Sequence, residues 1–179
     1  MWKTCRQIAR TGIMTEPLPS SDDTLRVADA LQSHILEVLG RALCIRAVDA
    51  GSCNGCELEI HALNNPLYNI EGRGIRFVAS PRHADLLLVT GPVAKNMEVA
   101  LRRTYDATPD PKLVVAIGDC GCTGGIFGES YASCGRVSNV IAVDVAVPGC
   151  PPSPRQILSG ILTAISTAVP DTSSFRSRV

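Results

Sequence analysis

Apolar residues recur along this chain at two spacings, and the change from one to the other outlines the fold. From Ser21 to Gly40, "SDDTLRVADALQSHILEVLG" places Ala28, Leu31, Ile35, Leu36 and Leu39 on one side of a helix that opens on Ser and Asp and closes on glycine. His34 sits beside that stripe and reads as a structural histidine. Beyond Gly40 the apolar runs shorten. "LCIRAVDA", "IRFVA", "DLLLVTG", "KLVVAIG" and "VIAVDVAV" have the length and composition of strands. Between them the pattern predicts a short helix through "ELEIHAL", another through "AKNMEVALRRTYDA", and a glycine-rich loop from Asp119 to Gly128. The closing helix, "PRQILSGILTAISTAV", carries Ile157, Ile161, Leu162, Ile165 and Val169 on one face. Strands that are apolar on both faces and alternate with helices predict a parallel sheet covered on both sides, the doubly wound α/β class.

The expected organisation is an arm over residues 1–20, a helix over 21–40, one α/β domain over 41–170 and a frayed tail over 171–179. In the arm, Lys3, Arg6 and Arg10 recur beside Trp2, Ile8 and Ile13 before "EPLPSS" breaks the pattern. Such a segment is either a solvated tail or a basic, lightly apolar piece that docks on a partner or membrane surface.

Composition narrows the function. The 179 residues suffice for one domain with a real core, and 45% are apolar, which argues against disorder. Lys plus Arg equals Asp plus Glu, 17 each, and aromatics are 4%, so neither a basic field nor a stacking platform points to nucleic acid. The opening "MWKTCRQIARTGIM" has polar residues where a signal peptide needs an apolar stretch, and "ILSGILTAISTAV" is too short to span a bilayer. The eight cysteines therefore suggest metal ligation in a reducing compartment more than a disulfide framework.

Their placement carries the chemistry. Cys53 and Cys56, in "DAGSCNGCELEI", follow the first predicted strand. Cys120 follows "KLVVAIG", and Cys150, in "VPGCPPSP", follows "VIAVDVAV". Loops beyond the carboxyl ends of parallel strands share one edge, so thiols far apart in sequence are expected to meet there. Four thiolates suit structural zinc or an iron–sulfur cluster. Glycine surrounds each of them, which allows the close backbone approach that a bulky inorganic cube needs, and Cys-Pro echoes the ferredoxin ligand run. A thioredoxin-like pair at Cys53 and Cys56 leaves Cys120 and Cys150 unexplained. The loop "GDCGCTGGIFG" lacks the Gly-Lys-Ser/Thr of a P-loop.

Taken together, "SCNGCELE", "GDCGCTGG" and "PGCPPSP" resemble the small subunit of [NiFe] hydrogenases and its homologue, the cluster-bearing small subunit of respiratory complex I, over residues 41 to 169. The Cys-x-x-Cys fits the hydrogenase pattern, since the complex I homologue has two adjacent cysteines there. After Cys150 there is no Cys or His, so one cluster is the ceiling. This is similar to the membrane-bound, energy-converting group that includes formate hydrogenlyase, and the opening "ARTGIMTEPLP" then reads as a docking arm.

The resemblance implies a flavodoxin-like doubly wound parallel sheet with cluster loops at the carboxyl ends of its strands. It also implies one [4Fe–4S] cluster held by Cys53, Cys56, Cys120 and Cys150, with Cys122 as the competing candidate for the Cys120 place. The implied role is an oxidoreductase subunit for electron transport, not catalytic alone. The implied partners are a [NiFe] hydrogenase-like large subunit, a ferredoxin-like 2[4Fe–4S] subunit and a membrane-arm subunit. The implied location is peripheral, on the cytoplasmic side of the cell membrane. The rival expectations are a complex I-like homologue that relays electrons to quinone and a zinc-stapled interaction module. Cys5, Cys44, Cys122 and Cys134 are expected to be small, mostly buried thiols. Glu57 and Glu59 are expected to face solvent or a subunit contact, with a proton-path role for Glu57 as the alternative.

Overall fold

The computed structural model describes residues 39–168 together with Trp2, Arg6, Ala9, Arg10, Arg26, Asp29, Ala30, Gln32, Ser33 and Ile35. Among these, five strands form one sheet in the order β2-β1-β3-β4-β5, all parallel. They are β1 (Leu43–Asp49), β2 (Ile75–Phe77), β3 (Leu86–Thr90), β4 (Leu113–Ile117) and β5 (Val145–Val147). That order is the flavodoxin-like one, with its switch point between β1 and β3. The helices between and after them are α1 (Gly55–Ala62), α2 (Lys95–Ala107), α3 (Gly118–Thr123) and α4 (Pro154–Ala168).

Alternation along the central strands builds two cores. Leu86, Leu88, Val115 and Ile117 point to one face and pack with Ile60 of α1, with Ile157, Ile161 and Ile165 of α4, and with Ile35 and Leu39. Leu87, Val89, Val114 and Ala116 point to the other and pack with Leu101 of α2 and with Val137, Val140 and Ile141. Every residue of β3 and β4 is buried as a result, which is why their sequences read as unbroken apolar runs.

The described residues between 26 and 39 are helical, with Ile35 and Leu39 buried and Arg26, Asp29, Ala30 and Ser33 exposed. Arg73 pairs with Asp29 and ties that helix to the loop that enters β2. Ala28, Leu31, His34 and Leu36 lie outside the described residues, as do most of the arm, Val169 and the tail.

Two expectations need correction. The predicted glycine-rich loop begins instead as α3, six residues long. Gly121, a poor helix former in isolation, lies buried there, where an added Cβ would stand 3.5 Å from the Val89 carbonyl, so tertiary packing outweighs propensity. The fifth predicted strand shrinks to Val145–Val147 because Val140 and Ile141 turn into the second core while only three residues pair with β4.

α4 crosses this edge at close quarters: a Cβ on Gly160 would lie 2.2 Å from Val147 Cγ2. Gly160→Ala is expected to cost about 1–3 kcal/mol by forcing the helix off the strand. Denaturant unfolding of that variant beside Gly160→Ala/Val147→Ala, which is expected to regain most of the loss, checks it.

Candidate metal centre

The register sets the site. Asp49 pairs with Thr90, Thr90 with Ile117, and Ile117 with Val147, so the strands end on one level across the sheet. Cys120, in α3, and Cys150, in the turn that leaves β5, each follow that row by three residues, and Cys53 follows it by four beyond β1, with Cys56 in the first turn of α1.

Local hydrogen bonds shape each loop. Asp49 Oδ1 accepts from the N–H of Gly51 and of Ser52, both at 2.8 Å, and Ser52 Oγ accepts from Asn54 N–H at 3.0 Å. These bonds turn the chain sharply before and after Cys53. At the other end of the rim Ser153 and Gln156 form a capping box: Ser153 N–H donates to Gln156 Oε1 at 2.8 Å, and Gln156 N–H donates to Ser153 Oγ at 3.4 Å. Pro154 takes the first helical position, so α4 starts directly after the Cys150 turn.

The loops converge. A Cβ on Gly55 would lie 3.6 Å from Cys53 Sγ and 3.9 Å from Pro151 Cβ, so the Cys53 turn abuts the residue after Cys150. A Cβ on Gly118 would lie 2.7 Å from Cys56 Sγ, and one on Gly125 2.9 Å from Cys120 Sγ. Gly118 is also at φ +84°, a backbone region that side chains disfavour. Cys53 and Cys150 are exposed, Cys56 and Cys120 half-buried, and all four are free thiols.

Electrostatics show the same gathering. The Cys56 thiol is pushed up to about 12, by burial first, then by Glu57, then by Cys53, Cys120 and Cys150. Cys120 is also raised, by burial first and then by Cys150 and Cys53. Among the described residues no three of His, Cys, Asp and Glu stand close enough to grip a single metal ion. What the rim does gather is four soft thiols from three separate strand ends, with glycine at positions where a Cβ would meet sulfur.

The remaining cysteines point elsewhere. Cys122 Sγ is directed at the Ala116 carbonyl at 3.7 Å, and its thiol is pushed up to about 11 by burial first and then by Asp119. No rim thiol is among those causes. Cys134 is buried and donates to Glu98 Oε2 at 3.3 Å, whereas Cys44 and Cys122 are half-buried and less enclosed than expected. Cys5 lies outside the described residues.

Glu57 departs from expectation. Thr90 Oγ1 donates to its Oε1, while Oε2 is buried without a hydrogen-bond partner, so the carboxylate turns inward. It lines a cavity of about 310 Å³ with Arg46, Asp49, His61, Phe77 and Thr90. The one sequence signal was Thr90, the polar residue that ends an otherwise apolar strand. Leu58, two residues after Cys56, and Ile126 and Phe127, directly after Gly125, are exposed, Ile126 by 94%, as is Tyr131 by 98%.

No helix among the described residues is long and apolar enough to cross a membrane. The chain is 45% identical over 133 residues to the probable membrane-bound hydrogenase subunit mbhJ of Pyrococcus furiosus, covering 74% of this chain and 80% of that one. It is 42% identical over 136 residues to formate hydrogenlyase subunit 7 of Escherichia coli, covering 76% of this chain but only 53% of that relative's length. Among solved structures, a chain of the membrane-bound sulfane sulfur reductase, an archaeal respiratory membrane complex, superposes with a TM-score of 0.65 at 30% identity, over 80% of this chain and 78% of that one. Two of these three relatives are thus named for membrane-bound oxidoreductases. Residues 53–164, which contain all four rim cysteines, match the family described as NADH ubiquinone oxidoreductase, 20 Kd subunit, and the chain belongs to that family.

Proposed function

We propose that Cys53, Cys56, Cys120 and Cys150 hold one [4Fe–4S] cluster, and that the chain is the electron-relay small subunit of a membrane-bound, [NiFe]-hydrogenase-type complex. The observation that carries this reading is the common level of the strand ends, which brings four thiols from three loops to one rim. Bound there, the cluster would supply a one-electron station between two redox partners.

The chain's own residues do the rest. The Asp49 and Ser153 turns hold the loops in shape, and Gly118 and Gly125 keep side chains away from sulfur. α4 starts directly after the Cys150 turn and directs the positive end of its dipole towards it. The exposed apolar residues Leu58, Ile126 and Phe127 suit burial under a large subunit that carries the nickel–iron site. A ferredoxin-like 2[4Fe–4S] subunit would exchange electrons with it, and a membrane-arm subunit would anchor the assembly on the cytoplasmic side of the membrane. In the arm, Trp2 is 87% exposed, and with Arg6 and Arg10 it forms the docking segment.

A second reading follows from the family itself, whose description names ubiquinone: the same relay with quinone as acceptor. The two Cys-x-x-Cys pairs that bind nickel, present or absent in the companion large subunit, separate the two readings.

The cluster is tested in the purified complex. Visible absorption bleached by dithionite and a reduced-state EPR signal are expected; a colourless, zinc-loaded subunit overturns the relay. Cys120→Ala is expected to abolish this cluster's signal, whereas Cys122→Ala leaves iron content and signal at the wild-type level. The reverse result would exchange their roles.

A further inference from the structure

Sheet pairing between β4 and β5 stops at Ile117 and Val147, yet the loops beyond do not part. Two residues further on, Asp119 N–H donates to the Gly149 carbonyl at 2.8 Å, and Gly149 N–H donates back to Asp119 Oδ1 at 2.8 Å. One residue thus closes a reciprocal bridge between the positions immediately before Cys120 and Cys150. Gly149, at φ +135°, has no side chain with which to make such a tie itself. A neutral amide oxygen would accept the Gly149 N–H equally well, so the bridge needs only an acceptor and does not explain a charge. The charge sits on the rim itself, because Asp119 is the residue directly before Cys120 and its Oδ1 is held against the residue directly before Cys150.

We propose that Asp119 is a positioning residue that clamps the Cys150 loop to the Cys120 loop, and that its negative charge lowers the reduction potential of the group these cysteines hold. This rests on the cluster reading above. A fixed negative charge beside a centre that gains an electron disfavours the reduced form. A lost acceptor would leave the main-chain bond from Asp119 N–H to the Gly149 carbonyl but halve the bridge, and would leave the part-buried Gly149 N–H without its acceptor.

Two substitutions in the intact complex separate the two roles. Asp119→Asn keeps the acceptor and removes the charge. Its iron and acid-labile sulfide are expected at the wild-type level, with the EPR-monitored midpoint potential shifted positive as the cluster takes one electron from dithionite. Asp119→Ala removes both and is expected to lose its cluster to a chelator about tenfold faster than wild type. Should Asp119→Ala fail to accumulate, Asp119→Glu, which keeps the charge and misplaces the acceptor, is expected to lose cluster faster while its remaining signal keeps the wild-type potential.

An unchanged midpoint in Asp119→Asn overturns the charge role, and a wild-type chelation rate in Asp119→Ala, or in Asp119→Glu in its stead, overturns the clamp. Wild-type complex without iron in this subunit sinks the cluster reading instead, a result that neither variant can mimic.

Discussion

On the proposed cluster reading, Gly118→Ala is expected to empty the four-cysteine rim of iron while the sheet stays folded. At φ +84° an alanine there costs about 1–2 kcal/mol of backbone strain. Its Cβ would also sit 2.7 Å from Cys56 Sγ and 3.4 Å from the Gly149 carbonyl. Overpacking of that kind adds about 1–3 kcal/mol. Cys56 packs against the first core, so its sulfur is expected to yield by leaving its place beside the other rim thiols. That displacement makes the expected loss of metal exceed the loss of stability. Iron and sulfide analysis of the purified complex, beside circular dichroism, measures both. Gly128→Ala is the control: its φ of +52° imposes similar strain, but no atom lies within 4 Å of the added carbon. It is expected to keep its iron, and loss of iron there too would show that strain alone, and not contact with sulfur, governs the site.

A second large loss of stability is expected far from the rim, at Arg41. Asp85 directly precedes the buried strand β3, its side chain is only 2% exposed, and it takes the Arg41 fork through two bonds, Nη1 to Oδ2 at 3.0 Å and Nη2 to Oδ1 at 2.7 Å. Its Oδ2 also accepts Cys44 N–H at 3.1 Å. Its main chain donates to the Cys44 carbonyl at 2.8 Å and accepts from Leu113 N–H at 3.0 Å, so Asp85 fastens β1, β3 and β4 at the end opposite the cysteines. Arg41→Ala takes the two-bond guanidinium away from this buried carboxylate. The cost is expected to be about 2–3 kcal/mol, below the value for a fully buried pair because Arg41 is 32% exposed and water partly replaces it. Urea denaturation at neutral pH checks the size. Asp85→Asn in the Arg41→Ala background is expected to recover part of the loss, since a neutral amide costs less to bury. Arg41→Lys is expected to recover little, because a single ammonium cannot make both parallel bonds. A shift below about half a kcal/mol for Arg41→Ala would show that the pair is only a surface contact.

The particular residues show how far a one-dimensional reading reaches. Leu86 to Thr90 and Leu113 to Ile117 were legible as strands because both of their faces are buried, so hydrophobicity runs unbroken along them. "VIAVDVAV" has the same texture for another reason. Val140 and Ile141 are buried from a turn, and texture cannot tell a buried turn from a buried strand. The glycines of "GDCGCT" concealed α3, since propensity counts against a helix that burial between strands supports. The turn of that helix also separates Cys120 from Cys122, two residues apart, sending one sulfur to the rim and the other to the Ala116 carbonyl. Glu57 likewise looked like a surface acid until Thr90, thirty-three positions away, was found against it.

What the order of residues determined by itself was therefore local and periodic: the alternation of strand and helix, the parallel class that this implies, and the positions of cysteine and glycine just past each strand. Register, which puts Asp49, Thr90, Ile117 and Val147 on one level, was decided only when strands from distant segments paired. The same holds for the facing of α3 and the inward turn of Glu57. Periodicity is a property of neighbours along the chain, whereas a four-sulfur rim is a property of neighbours across it, and only folding brings the second kind together.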